Sequence, residues 1–363
     1  EYGIPYTSKR VDLIVTGLNE YGGNSAVIIE LKQWDSAEAV PGKDGVVRTV
    51  VGGGIHEVTH PSYQAWSYAE AIEDFNADVR DRGVVLAPCA CLHNYVPPMP
   101  DPLASDIYSE YISKAPMFTK HQGADLKGFL ERFIRKGDGG ETIFILDRGR
   151  LKPSKSLQDV LASMMRGNRE FTLLDTQKVV YEEVLHQARA IARGGGKRVI
   201  IIRGGPGTGK TVLAVNLLSD ITSMGMSSLY VSKNAAPRNV YSSRLRGQKK
   251  GRSKVDKLFV GSGSFVNADA DVLLADEAHR LNEKSGRYQN MGENQVMEII
   301  RASKLSVFLI DEDQRVTLRD IGTVDEIRRY AKLFGASVSY MELDSQFRCS
   351  GSDGYLSWLD NTL

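Results

Sequence analysis

At 363 residues the chain is longer than one compact core and calls for two or three domains. Its 42% hydrophobic and 25% charged residues are ordinary for a globular protein, and a net charge of +1 excludes a uniformly basic surface. Any contact with nucleic acid must then come from local patches. No apolar run reaches the roughly eighteen residues that span a membrane, and no signal peptide opens the chain. Cys89, Cys91 and Cys349 have neither a zinc spacing nor an even disulfide framework, which suits a reducing, cytoplasmic setting. The chain starts on Glu1 rather than Met and stops inside a pattern at residues 354–359, so an excerpt of a longer protein is expected.

Residues 1–100 read as strands with one long helix. Arg10-Val11-Asp12-Leu13-Ile14-Val15 and Ser25-Ala26-Val27-Ile28-Ile29-Glu30-Leu31-Lys32 are β-rich runs around a Gly22-Gly23-Asn24 turn, which predicts a hairpin. A Gly- and Val-rich loop follows, then a helix over about 61–76 and an apolar strand over 83–89. Pro97-Pro98-Met99-Pro100 marks a loop at the edge of this domain. Residues 101–170 read as a mainly helical connecting region, and 171–363 as a third stretch. From Arg198 onward its strands alternate with helices, the pattern of a parallel α/β sheet. Gly194-Gly195-Gly196 is a hinge before it.

Gly204-Gly205-Pro206-Gly207-Thr208-Gly209-Lys210-Thr211 matches GxxxxGK[ST] between an apolar strand, 199–202, and a helical run, 212–218. In that setting Gly205, Pro206, Gly207, Thr208 and Gly209 let backbone N–H groups close on a phosphate, helped by the positive end of the helix. Lys210 would reach the β- and γ-phosphates of ATP, and the Thr211 hydroxyl would ligate Mg2+. About sixty residues later, Val272-Leu273-Leu274-Ala275 leads into Asp276-Glu277. Carboxylates at the C-terminal end of a buried strand sit where open α/β sheets bind ligands. Asp276 would hold Mg2+ and Glu277 would orient the attacking water.

These pieces resemble the superfamily 1 helicase-type motors. The resemblance makes Leu174-Asp175-Thr176-Gln177 an adenine-reading motif with Gln177 on the base, and Ser232-Lys233-Asn234-Ala235-Ala236 the nucleic-acid-contacting motif Ia. It makes Asp311-Glu312-Asp313-Gln314 motif III, with Gln314 sensing the γ-phosphate, although Ile310 stands where the family has glycine. Arg348 in Gln346-Phe347-Arg348 would reach the γ-phosphate. More closely, residues 170–363 look like the Schlafen-type DNA/RNA helicase-like domain. Nothing after Arg348 supplies the motifs of a second RecA-like lobe, so one motor lobe is expected. The basic segment holding Arg244, Arg246, Lys249, Lys250, Arg252 and Lys254 would grip phosphates or form a solvated loop.

In the N-terminal hairpin, Glu30 and Lys32 share one face of a strand, and a paired strand brings Asp12 beside them. Asp12 and Glu30 would bind a divalent metal, with Lys32 at the scissile phosphate. This D…ExK pattern resembles the PD-(D/E)XK nucleases. Gln64-Ala65-Trp66-Ser67-Tyr68 is similar to the QxxxY helix of RecB-type nucleases, which implies catalytic support from Gln64 and Tyr68 on one helix face. The family's further acidic residue before the first strand has only Glu1 to match it. A sheet domain with a Glu30–Lys32 surface ion pair is the alternative, and His56 and His60 read as solvated loop histidines.

The expected architecture is α/β: a PD-(D/E)XK-like mixed sheet with helices, then a RecA-like parallel sheet. The expected function is an ATP- and Mg2+-dependent helicase-like motor coupled to a nuclease, with DNA or RNA as partner. Two alternatives stay open: an ATP-switched nucleic-acid sensor with an inactive nuclease-like domain, and a P-loop ATPase assembly platform without a nucleic-acid role.

Overall fold

The computed structural model describes residues 2–4, 7, 9–150, 172–233, 258–261, 270–284, 292–317 and 319–344. They divide into two compact units: the residues up to 150 with Thr172–Val179, and those of Val180–Asp344. The basic segment, motif Ia beyond Lys233, and Gln346 to Cys349 lie outside the described residues.

The first unit opens on a two-residue antiparallel pair, β1 (Tyr2–Gly3) and β2 (Arg10–Val11). The predicted hairpin follows as β3 (Leu13–Leu18) and β4 (Asn24–Lys32), in the register Leu13↔Ile29. Asn19 Oδ1 accepts the Tyr21 and Gly23 N–H groups in its turn. Residues 33–60, expected as a loop, instead form a second antiparallel sheet of β5 (Ala37–Ala39), β6 (Val46–Val51) and β7 (Gly54–Thr59). Gly52 and Gly53, both at positive φ, close β6 onto β7, the two-residue turn that suits strand twist. Val46 and Val47 bury themselves on this sheet, so the valines belong to strands.

Helix α1 (Pro61–Phe75) crosses over to β8 (Val85–Leu92), which lies parallel to β4, and β9 (Met117–Thr119) adds to its far side. Short helices α2 (Ala77–Asp81) and α3 (Ser109–Lys114) flank β8 in sequence, and α4 (Gly123–Phe133) and α5 (Glu141–Arg148) follow. Ala26 and Ile28 of β4 pack against Tyr68, Ala69 and Ile72 of α1 and Ile145 of α5. On the opposite face, Val27 and Ile29 pack with Cys89, Phe118 and the Phe129 and Phe133 rings of α4. Helices on both faces explain why β4 reads as a continuous apolar run. Residues 101–150, read from the sequence as a connecting region, therefore build part of this core.

His60 corrects an expectation. It is fully buried, stacks on Tyr108 at 4.5 Å between centroids, and caps α1 by accepting the Ser62 N–H at Nδ1, 3.2 Å. Its Nε2 lies 3.0 Å from the Leu103 carbonyl. Burial holds the ring neutral, with its pKa down at about 4.

Helix α6 (Thr176–Ala192) leads into the second unit. That unit holds a six-stranded parallel sheet of β10 (Arg198–Gly204), β11 (Ser228–Ser232), β12 (Phe259–Gly261), β13 (Ala270–Asp276), β14 (Ser303–Ile310) and β15 (Ser337–Leu343), in the order β12-β11-β13-β14-β10-β15. Helix α7 (Lys210–Ser223) packs across β11 and β13. On the face presenting Val199, Ile201, Leu273 and Phe308 lie Val296 and Ile299 of α8 (Gln295–Arg301) and Ile327 and Ala331 of α9 (Val324–Leu333). The alternation of strand and helix, with every strand parallel, is consistent with a RecA-like P-loop fold. Among the described residues, no helix is long and apolar enough to cross a membrane.

Candidate nucleotide site and N-terminal carboxylate site

The phosphate loop links the C-terminal end of β10 to the first residue of α7. Gly207 and Gly209 take positive φ, near 83°, so their N–H groups turn inward without a steric penalty. Thr208 Oγ1 donates to the Gly205 carbonyl at 2.9 Å and braces the loop. A side chain at Gly204 would press on Thr208 Oγ1, the hydroxyl that braces the loop. Lys210 is buried; its Nζ donates to the carbonyls of Gly204 and Gly205 at 2.6 and 2.8 Å and lies 3.8 Å from Asp311.

Two strands away, β13 ends on Asp276, whose Oδ2 accepts the Thr211 hydroxyl at 2.8 Å and the Tyr230 hydroxyl at 2.5 Å. Burial pushes the Asp276 carboxyl up, opposed by those two hydroxyls. Glu277 sits in the left-handed region, φ 53° and ψ 43°, which turns its carboxylate out of line with the strand. His279 Nε2 lies 3.1 Å from that carboxylate and holds its pKa below the usual range. The Asp311 N–H donates to His279 Nδ1 at 3.2 Å, so the ring proton sits on Nε2 and points at Glu277. Asp311 is also bonded by Gln314 Nε2 at 2.8 Å. Lys210, Thr211, Asp276, Glu277 and Gln314 are thus linked through a short chain of contacts. Tyr230 and His279 were missed by sequence reasoning. His279 had a signal, being written into the Asp276-Glu277-Ala278-His279 run, whereas a tyrosine on a neighbouring strand had none.

Of motif Ia, Ser232 ends β11 in a buried position, and Lys233 Nζ lies 3.0 Å from Asn282 Oδ1 and 3.3 Å from Asp320. Gln177 is buried in the first turn of α6, groups with the first unit, and its Oε1 lies 3.4 Å from the Leu174 N–H. Arg348 lies outside the described residues.

In the first unit, the antiparallel register pairs Leu13 with Ile29 and Ile14 with Ile28, and Asp12, in the bend just before β3, lies beside the end of β4. Opposed residues share a face, and so do alternate residues of one strand. Glu30 is two positions from Ile28 on β4 and so lies on the α1 face. Asp12 is exposed, and its Oδ2 accepts the Leu31 N–H at 2.8 Å. Glu30 is buried; Lys32 Nζ donates to its Oε1 at 2.8 Å, and its Oε2 has no partner. Desolvation raises the Glu30 pKa to about 7, against the pull of Lys32. From α1, Gln64 Nε2 donates to the Tyr68 hydroxyl at 2.9 Å, and that hydroxyl donates to Asp175 Oδ2 at 2.8 Å. Glu30, Lys32, Gln64 and Tyr68 therefore lie on one face, with Asp12 tied to the adjoining Leu31 N–H. His56 is exposed on β7. Asp175 is the residue that sequence reasoning missed here, because its partners lie more than a hundred positions away.

No curated protein matches the chain. Among solved structures it is similar to a DNA replication initiation factor (19% identity, TM-score 0.26, covering 46% of this chain and 47% of that one). It is also similar to the Hef helicase domain of Pyrococcus furiosus (17%, 0.27, 46% and 37%) and to PCH-2 of C. elegans (14%, 0.25, 47% and 42%). The chain spans less than half the length of each of these structures. Residues 197–363, from the entry into the P-loop strand onward, match the family model described as the Schlafen group 3 DNA/RNA helicase domain.

Proposed function

We propose that the second unit is an ATP-hydrolysing, helicase-like lobe acting on nucleic acid and that the first is a metal-dependent nuclease unit coupled to it. The observation that carries the ATPase reading is the 2.8 Å contact between Thr211 Oγ1 and Asp276 Oδ2, which joins the phosphate loop to the acidic strand end. Those two side chains would hold Mg2+, which would supply neutralisation of the phosphate charge. Loop N–H groups and Lys210 bind the phosphates. Glu277, ionised and aimed by His279, orients the water that attacks. Gln314 and Asp311 report the γ-phosphate to the same histidine, and Arg348 adds a positive charge by resemblance. Binding to DNA or RNA is supported by the match of residues 197–363 to a helicase domain, with Lys233 and the basic segment as the proposed contacts.

For the first unit, the reading rests on Asp12 bonded next to Glu30 at the Leu31 N–H, Lys32 on Glu30, and the Gln64–Tyr68 pair on the crossing helix. The unpartnered, buried Glu30 Oε2 suits a cation, since an orphaned carboxylate oxygen is costly to bury. Among the described residues, no three His, Cys, Asp or Glu side chains group closely enough to hold an ion. Asp12 and Glu30 would then hold Mg2+ with water and phosphate oxygens, and the ion would supply an activated water. Lys32 would stabilise charge on the cleaved phosphate. Asp12 Oδ2 and Glu30 Oε1 already have protein partners, which favours the second reading of a unit that holds nucleic acid without cutting it. Labelled DNA and RNA substrates incubated with the chain, Mg2+ or Mn2+ and ATP decide the matter. ATP hydrolysis stimulated by nucleic acid and metal-dependent cleavage are expected. Stimulation without cleavage selects the sensor, and hydrolysis indifferent to both polymers selects the assembly platform.

A further inference from the structure

Asp175 precedes the helix that carries Gln177, yet its side chain belongs to the N-terminal carboxylate face. The short stretch around it is pinned to the first unit. The Tyr63 hydroxyl donates to the Leu173 carbonyl at 2.7 Å, Leu174 enters the core that holds Ile28 and Tyr68, and Lys178 Nζ pairs with Asp44 at 2.9 Å. Held at both ends, Asp175 adopts φ 41°. Among the described residues, only Asp175 and Glu277 are non-glycine residues at positive φ, and strain of this kind collects at functional sites.

The surroundings of Asp175 carry negative charge that the protein only half matches. Its Oδ2 accepts the Tyr68 hydroxyl at 2.8 Å and lies 3.4 Å from Lys9 Nζ, while its Oδ1 is buried with no partner. Glu30, only 4% exposed, likewise leaves Oε2 buried without a donor. Tyr68, held by Asp175 on one side, accepts the Gln64 amide at 2.9 Å on the other. Lys9 and Lys32 satisfy one oxygen of each acid, which leaves the other oxygen of each unmatched.

We propose that Asp175 is a positioning residue of the N-terminal site: it locks the Gln64–Tyr68 pair beside Glu30 and supplies the negative charge that draws a divalent cation onto Glu30 and Asp12. The inference rests on reading that site as metal-dependent. Asp175 is not assigned as a ligand, because its carboxylate forms no ion-holding group with the other acids. It acts through Tyr68 and through its charge, which is only partly screened because its Oδ1 is buried.

Mn2+ binding to the full chain without nucleotide tests the proposal, with the component lost in Glu30→Gln identifying the N-terminal site. Asp175→Asn keeps the shape and removes the charge. It should weaken that component about tenfold and lower kcat for cleavage, with KM for nucleic acid changed less than about twofold. Asp175→Glu should recover most of the affinity. Lys9→Ala, which removes the opposing charge, should tighten Mn2+ binding several-fold, and it decides the question if Asp175→Asn fails to fold. A lowered melting temperature with the parental Mn2+ affinity in Asp175→Asn, or unchanged or weaker binding in Lys9→Ala, overturns the proposal. Glu30-dependent Mn2+ binding without cleavage of DNA or RNA overturns the nuclease reading alone and leaves Asp175 judged on affinity. A parental chain with no Glu30-dependent component overturns both.

Discussion

Single side chains in the two sites carry opposed demands of stability and chemistry. Glu30 is the clearest case, because burial lifts its pKa from 4.5 to about 7. The folded state therefore binds the proton more tightly than the unfolded chain, so stability is greatest below pH 4.5 and is lost as pH rises from there through about 7. Glu30→Gln should raise the melting temperature at pH 8 in the absence of divalent metal, with the gain shrinking towards pH 4.5, while cleavage disappears. Thermal unfolding across that range checks the sign, and a gain that grows as pH falls would overturn it. At the nucleotide site, Lys210→Ala should abolish ATP hydrolysis and sharply weaken nucleotide binding. Glu277→Gln should keep ATP bound and lower turnover by a hundredfold or more, on the order of 3 kcal/mol in the barrier. Nucleotide-binding and turnover assays separate the two roles, and parental hydrolysis by Glu277→Gln would contradict the water-orienting assignment.

At the scale of elements, the segment after β13 shows how backbone placement serves chemistry. A short 3-10 turn, Ala278–Arg280, presents His279 to Glu277, and Gly322 packs directly under the Ala278 carbonyl. Any Cβ at Gly322 would collide with that carbonyl. Gly322→Ala should push the turn away, costing roughly 1–3 kcal/mol of stability and lowering kcat for ATP hydrolysis more than it changes nucleotide affinity. Chemical denaturation beside steady-state kinetics measures both, and a neutral substitution would mean that the turn is not tightly packed. The hairpin of β3 and β4 is constrained in the same way. Its register puts Ile14 across from Ile28 on the face that carries Glu30, and a slip of one residue in β4 would turn Glu30 away from α1.

For the whole molecule, the two units have separate cores and separate sites, so their activities should fail separately. Asp12→Ala, Glu30→Ala and Lys32→Ala should each remove cleavage while ATP hydrolysis stays within about twofold of the parental rate. Lys210→Ala should do the reverse in assays where cleavage needs no ATP. Parallel assays on the same preparations test this, and an N-terminal substitution that also stops ATP hydrolysis would show that the first unit controls the motor lobe. His60 adds a pH limit to the first unit. Its depressed pKa means that stability is present above about 6.5 and is lost as pH falls towards about 4, when the unfolded chain takes up the proton first.

Much of this was legible in the residue order because the determining interactions are local. A GxxxxGK[ST] loop needs glycines at fixed offsets, a strand before it and a helix after it, all of them adjacent in sequence; so do the hairpin and the one-face placement of Gln64 and Tyr68. The continuous apolar runs of β4, β10, β13 and β14 announced strands covered on both sides. The Gly52-Gly53 pair, a two-residue hairpin signal between valine-rich runs, was equally legible. Tertiary structure alone decided what depends on distant chain segments meeting. Tyr230 reaches Asp276 across neighbouring strands, the Asp311 N–H selects the tautomer of His279, and His60 is buried because Tyr108 and Leu103 close over it. Asp175 joins Tyr68 over more than a hundred residues. Such pairings leave no periodicity or spacing behind, because a side chain's environment is set by the packing of whole elements rather than by its neighbours in the chain.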